Sequence, residues 1–194
     1  MPKCNNKDCE SCVYGTPQQG GANSLRVDTC CGCQGLADCN TDLGQVWTAI
    51  CAPTCVVPCV DAHEGQHRYD LSSCCSLVPK CIAYYTKNPL YTDGRSARYY
   101  CQAVYDEWFS RNRRWMECRA YRSGLDCAQK WIKAHTCACG TPINPDKCCN
   151  EMCNFRALQY SGYYDFCPGV SPLGPIPCKC PFNNDGSVSH RCEK

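Results

Sequence analysis

The chain has 194 residues, a formal net charge of +2 and a pI near 7.7, so no whole-chain field argues for a nucleic acid or an anionic membrane as partner. The length suits one domain with a sizeable core, and residues 1–194 read as a single domain of three regions. Cysteine is the outlier: 25 of 194 residues, about 13 percent, against the roughly 8 to 10 percent that already marks a disulfide scaffold. A reducing cytosol would leave those thiols unpaired, so the expected setting is oxidising: extracellular, periplasmic or a secretory lumen. The odd count leaves at least one thiol that is free, metal-bound or joined to another chain.

Residues 1–45 form a Cys-, Gly- and Asn-rich N-terminal arm. Met1 to Cys9 contain no apolar run of the roughly 7 to 15 residues a signal peptide needs, so the expectation is a trimmed leader or an export route that uses none. The runs Gln18-Gln-Gly-Gly-Ala-Asn23 and Cys30-Cys-Gly-Cys-Gln-Gly35 predict disulfide-tied loops. Residues 46–135 are the expected helical core. Within 46–72, Val56, Val57, Cys59, Val60, His63, Glu64 and His67 recur at three- and four-residue steps, the period of one helix face, and Pro58 suits a first turn.

After a turn-rich stretch, Lys87 to Gly94, the longest helical pattern runs over about 96–134. Tyr100, Ala103, Val104, Trp108, Glu117, Tyr121, Leu125, Ala128 and Ile132 are its core-facing candidates. Gly124 weakens its second half, and Ser110 to Asn112 is a candidate break. Residues 136–194 return to Cys, Pro, Gly and Asn and predict a second loop-rich, cross-linked region. No stretch reaches the ~18 apolar residues of a membrane span. The fold class expected is mainly α with disulfide-stapled, loop-rich flanks, one helix packed on a long second helix.

Residues 63–67 read His-Glu-Gly-Gln-His, an HExxH match. Four helical residues advance about 6 Å and return to nearly the same face, so both imidazoles can reach one Zn2+ ion. Glu64, about 100 degrees around, would lie beside the open coordination position as general base. With four His and six Glu in the chain, roughly 0.002 chance matches are expected. The competing reading is two surface histidines and a solvated glutamate on a helix. A catalytic zinc needs a third protein ligand. Glu117 is the candidate, because it falls on the apolar stripe of the long helix, where a carboxylate is costly unless paired. Asp70, three residues past His67, competes, with His135 and Glu107 behind it; His190 sits in the tail.

HExxH followed by Glu117-Cys-Arg-Ala-Tyr121 resembles the gluzincin pattern of zinc metallopeptidases. The Trp115 to Arg122 context also resembles metallopeptidase toxin domains of bacterial polymorphic toxins and type VI secretion effectors. The resemblance covers roughly 55–135. It implies His63, His67 and Glu117 as zinc ligands, Glu64 as base and Tyr121 as a transition-state donor. The Cys-rich flanks depart from such toxin domains.

Cys9, Cys12, Cys30 and Cys33 have zinc-ribbon spacing, although in so Cys-rich a chain disulfides are the expectation. The adjacent pairs Cys30-Cys31, Cys74-Cys75 and Cys148-Cys149 should each tie two segments to one point, and Cys118 should pin the ligand helix. The Arg111-Asn-Arg-Arg-Trp115 run reads as a solvated helix face or a holder for a substrate carboxylate, not a nucleic-acid patch. Tyr84, Tyr85, Tyr99, Tyr163 and Tyr164 are candidate groove-lining residues. These features predict a secreted zinc peptidase or amidase with a peptide or peptidoglycan-peptide substrate. An antibacterial effector acting in the periplasm would have a cognate immunity protein. The alternative is a disulfide-rich binding or structural module in which His63 and His67 hold a structural metal or none, with no catalysis.

Overall fold

A computed structural model describes residues 12–14, 34–88, 96–140 and 146–192. Three antiparallel strands, β1 (Cys12–Tyr14), β2 (Gln34–Asn40) and β3 (Gln45–Cys51), form a sheet of order β1-β3-β2. Four helices follow: α1 (Val57–Cys75), α2 (Val78–Lys87), α3 (Ala97–Ala134) and α4 (Lys147–Phe166). The fold is mainly α, as the periodicity implies. No described helix is long and apolar enough to cross a membrane.

The sheet corrects the expected loop-rich arm, and β3 corrects the helical start at 46. Val46, Trp47, Thr48 and Ile50 are β-branched or aromatic, the types that suit a half-buried pleated surface. Thr48 and Ile50, two apart, are buried, as alternation requires. The β2–β3 hairpin is set by Asn40, whose Oδ1 accepts from the backbone N–H groups of Asp42 (3.1 Å) and Leu43 (3.2 Å). Gly44 closes the turn at φ +65°, where a side chain would be strained.

Helix α1 enters through Pro58 and buries Val60, His63, Glu64, Leu71, Cys74 and Cys75 on one stripe. Polar groups thus occupy the middle of its inward face. Helix α3 starts at Ser96, whose side chain accepts from Tyr99 N–H. By its 38 residues it is about 57 Å long. No break occurs at 110–112. Asn112 is wholly buried, donating to Trp108 O (3.0 Å) and Cys178 O (2.8 Å) while accepting from Cys178 N–H (2.9 Å). The side chain that suggested a break therefore docks the C-terminal segment onto an intact helix.

Helix α2 lies within the expected helical core, and α4 corrects the reading of 136–194 as a loop-rich region. Asp146 caps α4, its Oδ1 accepting from Cys148 N–H (2.8 Å) and Cys149 N–H (3.3 Å), and Met152, Phe155, Gln159 and Gly162 form its buried stripe.

Helix α3 packs on both α1 and α4. The chains run antiparallel: Ser123 Oγ donates to Ala62 O at 3.0 Å and His67 meets Glu117, while Gly124 faces Gln159 and Tyr121 faces Gly162. Two apolar clusters result. One gathers Leu71, Val78, Val104, Trp108, Met116 and Phe182; the other gathers Ile50, Val56, Val60, Ala128, Met152 and Phe155. His63, His67, Glu117 and Tyr121 fall between them along α1 and α3.

Eight disulfides join described residues: Cys39–Cys75, Cys59–Cys127, Cys74–Cys180, Cys81–Cys101, Cys118–Cys167, Cys137–Cys149, Cys139–Cys153 and Cys178–Cys192. They indicate an oxidising environment. Cys74 and Cys75 tie two different segments to one point, and Cys118 pins α3 to the end of α4. Cys148 is a free thiol, unlike its neighbour. The zinc-ribbon spacing of Cys9, Cys12, Cys30 and Cys33, and the Cys30-Cys31 pair, lie outside what is described of these residues.

Candidate metal centre

His63 and His67 stand one turn apart on α1, their ring centroids 5.1 Å apart and the planes at 69°. Glu117, from the antiparallel α3, reaches between the helices, with Oε2 3.5 Å from His67 Nε2. One nitrogen from each histidine and one oxygen of Glu117 all lie within 4.8 Å of one another. Two neutral imidazoles and a carboxylate are the donor set of a zinc site that keeps a fourth position open. These residues therefore fit a zinc ion.

The rings are held from behind. His63 Nδ1 lies 2.9 Å from Gln159 Oε1; an amide oxygen only accepts, so Nδ1 carries the proton and Nε2 keeps its lone pair for a ligand. Tyr121 abuts the His63 ring edge-on at 4.8 Å and stacks on Phe166 at 5.5 Å. Two helical glycines make this possible. A Cβ at Gly124 would overlap the Gln159 amide, and one at Gly162 would overlap the Tyr121 ring. In the same way, a Cβ at Gly35 of β2 would occupy the place of the Glu64 side chain.

Glu64 is 4% exposed, with Oε1 3.9 Å from His63 Nε2. His63 and Glu64 open onto a cavity of about 230 Å3 whose other walls are Gly35, Val60, Tyr121, Phe155 and Gln159. Burial pushes the Glu64 carboxyl up to about 7, against smaller opposing help from His67. That value suits a group that takes and returns a proton near neutrality. Burial, aided by the charge of His67, lowers His63 to about 4 and keeps it neutral. Burial would also lower His67, but its hydrogen bond and charge interaction with Glu117 win and raise it. Burial would raise Glu117, and the same partner wins in the other direction. Burial, then the charges of Glu117 and Glu64, raise the Tyr121 phenol and keep it a donor.

The competing third ligands stand elsewhere. Asp70 accepts from Gln66 Nε2 (3.0 Å) and pairs with Arg119 Nη1 at 3.1 Å, and that guanidinium lies 4.5 Å from the Trp115 ring centroid. Glu107 pairs with Arg191 at 3.3 Å. His135 is exposed and stacks on Trp131 at 3.9 Å, and His190 is exposed beside Ser189 Oγ. Of the Arg111–Trp115 run, Arg114 donates to Phe166 O (3.1 Å) and Pro168 O (2.8 Å), where cations complement a helix C-terminus. Arg113 lies 3.9 Å from Glu117. Tyr84, Tyr85, Tyr99, Tyr163 and Tyr164 do not line the cavity.

Gln159, Gly35, Gly162 and Phe155 escaped the sequence reading. A signal existed for three of them: 152, 155, 159 and 162 follow a helical stripe behind the capping residue Asp146. Nothing local marks Gly35. Compared with known proteins, the chain matches no family model, no curated sequence and no solved structure. The resemblance to gluzincins therefore rests on the residues of this site.

Proposed function

We propose that the chain is a zinc-dependent hydrolase of peptide or amide bonds. The observation that carries this reading is the convergence of His63, His67 and Glu117 within 4.8 Å, beside a buried Glu64 that shares a cavity with His63. A bound zinc would polarise the scissile carbonyl and acidify a water molecule. Glu64 accepts the proton of that water and delivers it to the leaving nitrogen. Tyr121 donates a hydrogen bond to the carbonyl oxygen as negative charge develops there. Gln159 fixes the His63 tautomer, and the bare backbone at Gly35 leaves room for the Glu64 carboxylate.

The disulfides support action outside a reducing cytosol. A peptide or peptidoglycan stem peptide is the proposed substrate, and delivery to a target cell's periplasm as an effector the proposed setting. In that setting a cognate immunity protein would cover the cavity. The deciding experiment is Glu64→Gln. We expect one zinc per chain in both proteins and a loss of peptide hydrolysis of about 10² to 10⁴-fold in the variant. Full activity in the zinc-loaded variant would refute the mechanism.

One observation favours the non-catalytic reading: His67 and Glu117 already satisfy one another at 3.5 Å. A purified chain that takes up no metal from excess zinc would establish that reading and end the hydrolase proposal.

A further inference from the structure

Cys55 and Cys148 stand outside the eight bridges as free thiols. They come from different parts of the fold. Cys55 immediately precedes Val56, the residue that caps α1, while Cys148 lies in the first turn of α4, behind its cap Asp146. Glu151 follows Cys148 by three residues and so shares its helix face. The two sulfurs and one Glu151 oxygen all lie within 4.8 Å of one another, and all three residues are half-buried. Cys55 Sγ donates to Glu151 Oε2 at 3.0 Å, and the two thiols are not bridged to each other.

We propose that Cys55, Cys148 and Glu151 form a second metal site, separate from the histidine centre, that takes a thiophilic divalent d10 cation such as zinc. Two thiolates select against magnesium and calcium, and thiolate with carboxylate suits a tetrahedral zinc or cadmium ion. Binding removes one proton from each thiol and releases two protons to solvent as two metal–sulfur bonds form. Lys147, whose Nζ lies 3.9 Å from Glu151 Oε1, offsets part of the negative charge that this donor set gathers. Without an ion, burial and the neighbouring Cys148 and Glu151 push the Cys55 thiol up, which a coordinated cation reverses.

The placement gives the site a structural task. Cys137–Cys149 and Cys139–Cys153 tie the start of α4 to the chain leaving α3. A metal on Cys55, Cys148 and Glu151 adds a tie from α4 to the chain entering α1. The two helices so joined supply His63 and its partner Gln159.

Cadmium titration of the purified, oxidised full chain tests the proposal, because sulfur ligation gives an ultraviolet charge-transfer band that histidine and glutamate ligands do not. We expect a band that saturates at one ion per chain with release of two protons. Cys148→Ser and Cys55→Ser should each abolish it, and Glu151→Gln should weaken binding by about tenfold or more. Alkylation of the unmutated chain, mapped by mass spectrometry, guards against a misfolded variant: zinc should protect Cys55 and Cys148 together. Absence of the band, its persistence in the double Ser variant, or a peptide map with either cysteine in a disulfide would overturn the proposal.

Discussion

Glu64 is held under two opposing demands. In the proposed mechanism its carboxyl must ionise to accept a proton, yet burial raises it to about 7 from the ordinary 4.5. The sign of the consequence follows from linkage: a carboxyl whose folded value exceeds its unfolded one stabilises the fold fully below pH 4.5, and that contribution is lost as pH rises through 7. In the metal-free protein the Glu64 carboxylate at pH 8 therefore bears the cost of lost hydration. Replacing it by Gln should make the chelated chain more stable than the unsubstituted one by roughly 2 to 3 kcal/mol at pH 8, with little difference at pH 4. Urea denaturation at the two pH values checks this, and equal stabilities at pH 8 would contradict it. Gly35 answers to the same carboxylate. Gly35→Ala places a methyl where Glu64 sits, and if Glu64 is the base proposed above, a displacement of about 1 Å there should cost about 10²-fold in rate. Zinc content should be unchanged, which separates misplacement of the base from loss of the ion. Gln159→Ala should act on the ion instead, lowering zinc affinity about 10 to 100-fold in a competition titration with a chelator dye.

At the scale of elements, the centre is a consequence of two antiparallel helix pairs. Helix α1 supplies both imidazoles, α3 the carboxylate and the phenol, and α4 the amide that orients His63. The periodicity of α1 and of 96–134 is plain in the sequence because long apolar stripes recur at helical steps. Residues 34–51 were not legible as strands. Their turn residues, Asn40 and Gly44, carry the signal, but Cys and Gly elsewhere in the segment hide the alternation. Helix α4 was obscured by the surrounding Pro- and Cys-rich loops. Its junction with α3 is closed by Cys118–Cys167, beside Glu117. Replacing both cysteines by Ala should cost about 2 to 5 kcal/mol, read by urea denaturation. Zinc affinity should fall with it, because α4 would no longer hold Gln159 in register. Gly162→Ala, which drives a methyl into the Tyr121 ring, should cost about 1 to 3 kcal/mol by overpacking the same junction.

Across the whole molecule, apolar burial is divided into two clusters with polar side chains between them, so cross-links do much of the work a continuous core would do. Cys59–Cys127 ties α1 to α3 on one side of the centre and Cys118–Cys167 ties α3 to α4 on the other. Eight bridges at roughly 2 to 4 kcal/mol each exceed the ~5 to 15 kcal/mol net stability of an ordinary domain. Full reduction at neutral pH should therefore collapse the cooperative thermal transition followed by circular dichroism. A reduced chain that still melts cooperatively near the oxidised midpoint would contradict this.

By itself the sequence marked the candidate metal-binding pair, the glutamate beside it and the disulfide-rich character, since these depend on residue type and on spacing within one helix turn. It also singled out Glu117, because a carboxylate on an apolar stripe needs a partner wherever that stripe packs. Only the tertiary structure showed that Glu117, and not Asp70, stands with the two histidines. Both lie on inward faces, and the difference is that Arg119, two residues further along α3, neutralises Asp70 across the helix interface. Gln159, Gly35 and the Cys55–Cys148–Glu151 cluster likewise join residues as far as 96 positions apart. Such pairings follow from helix register and from the bridges that hold it, quantities that no local pattern encodes.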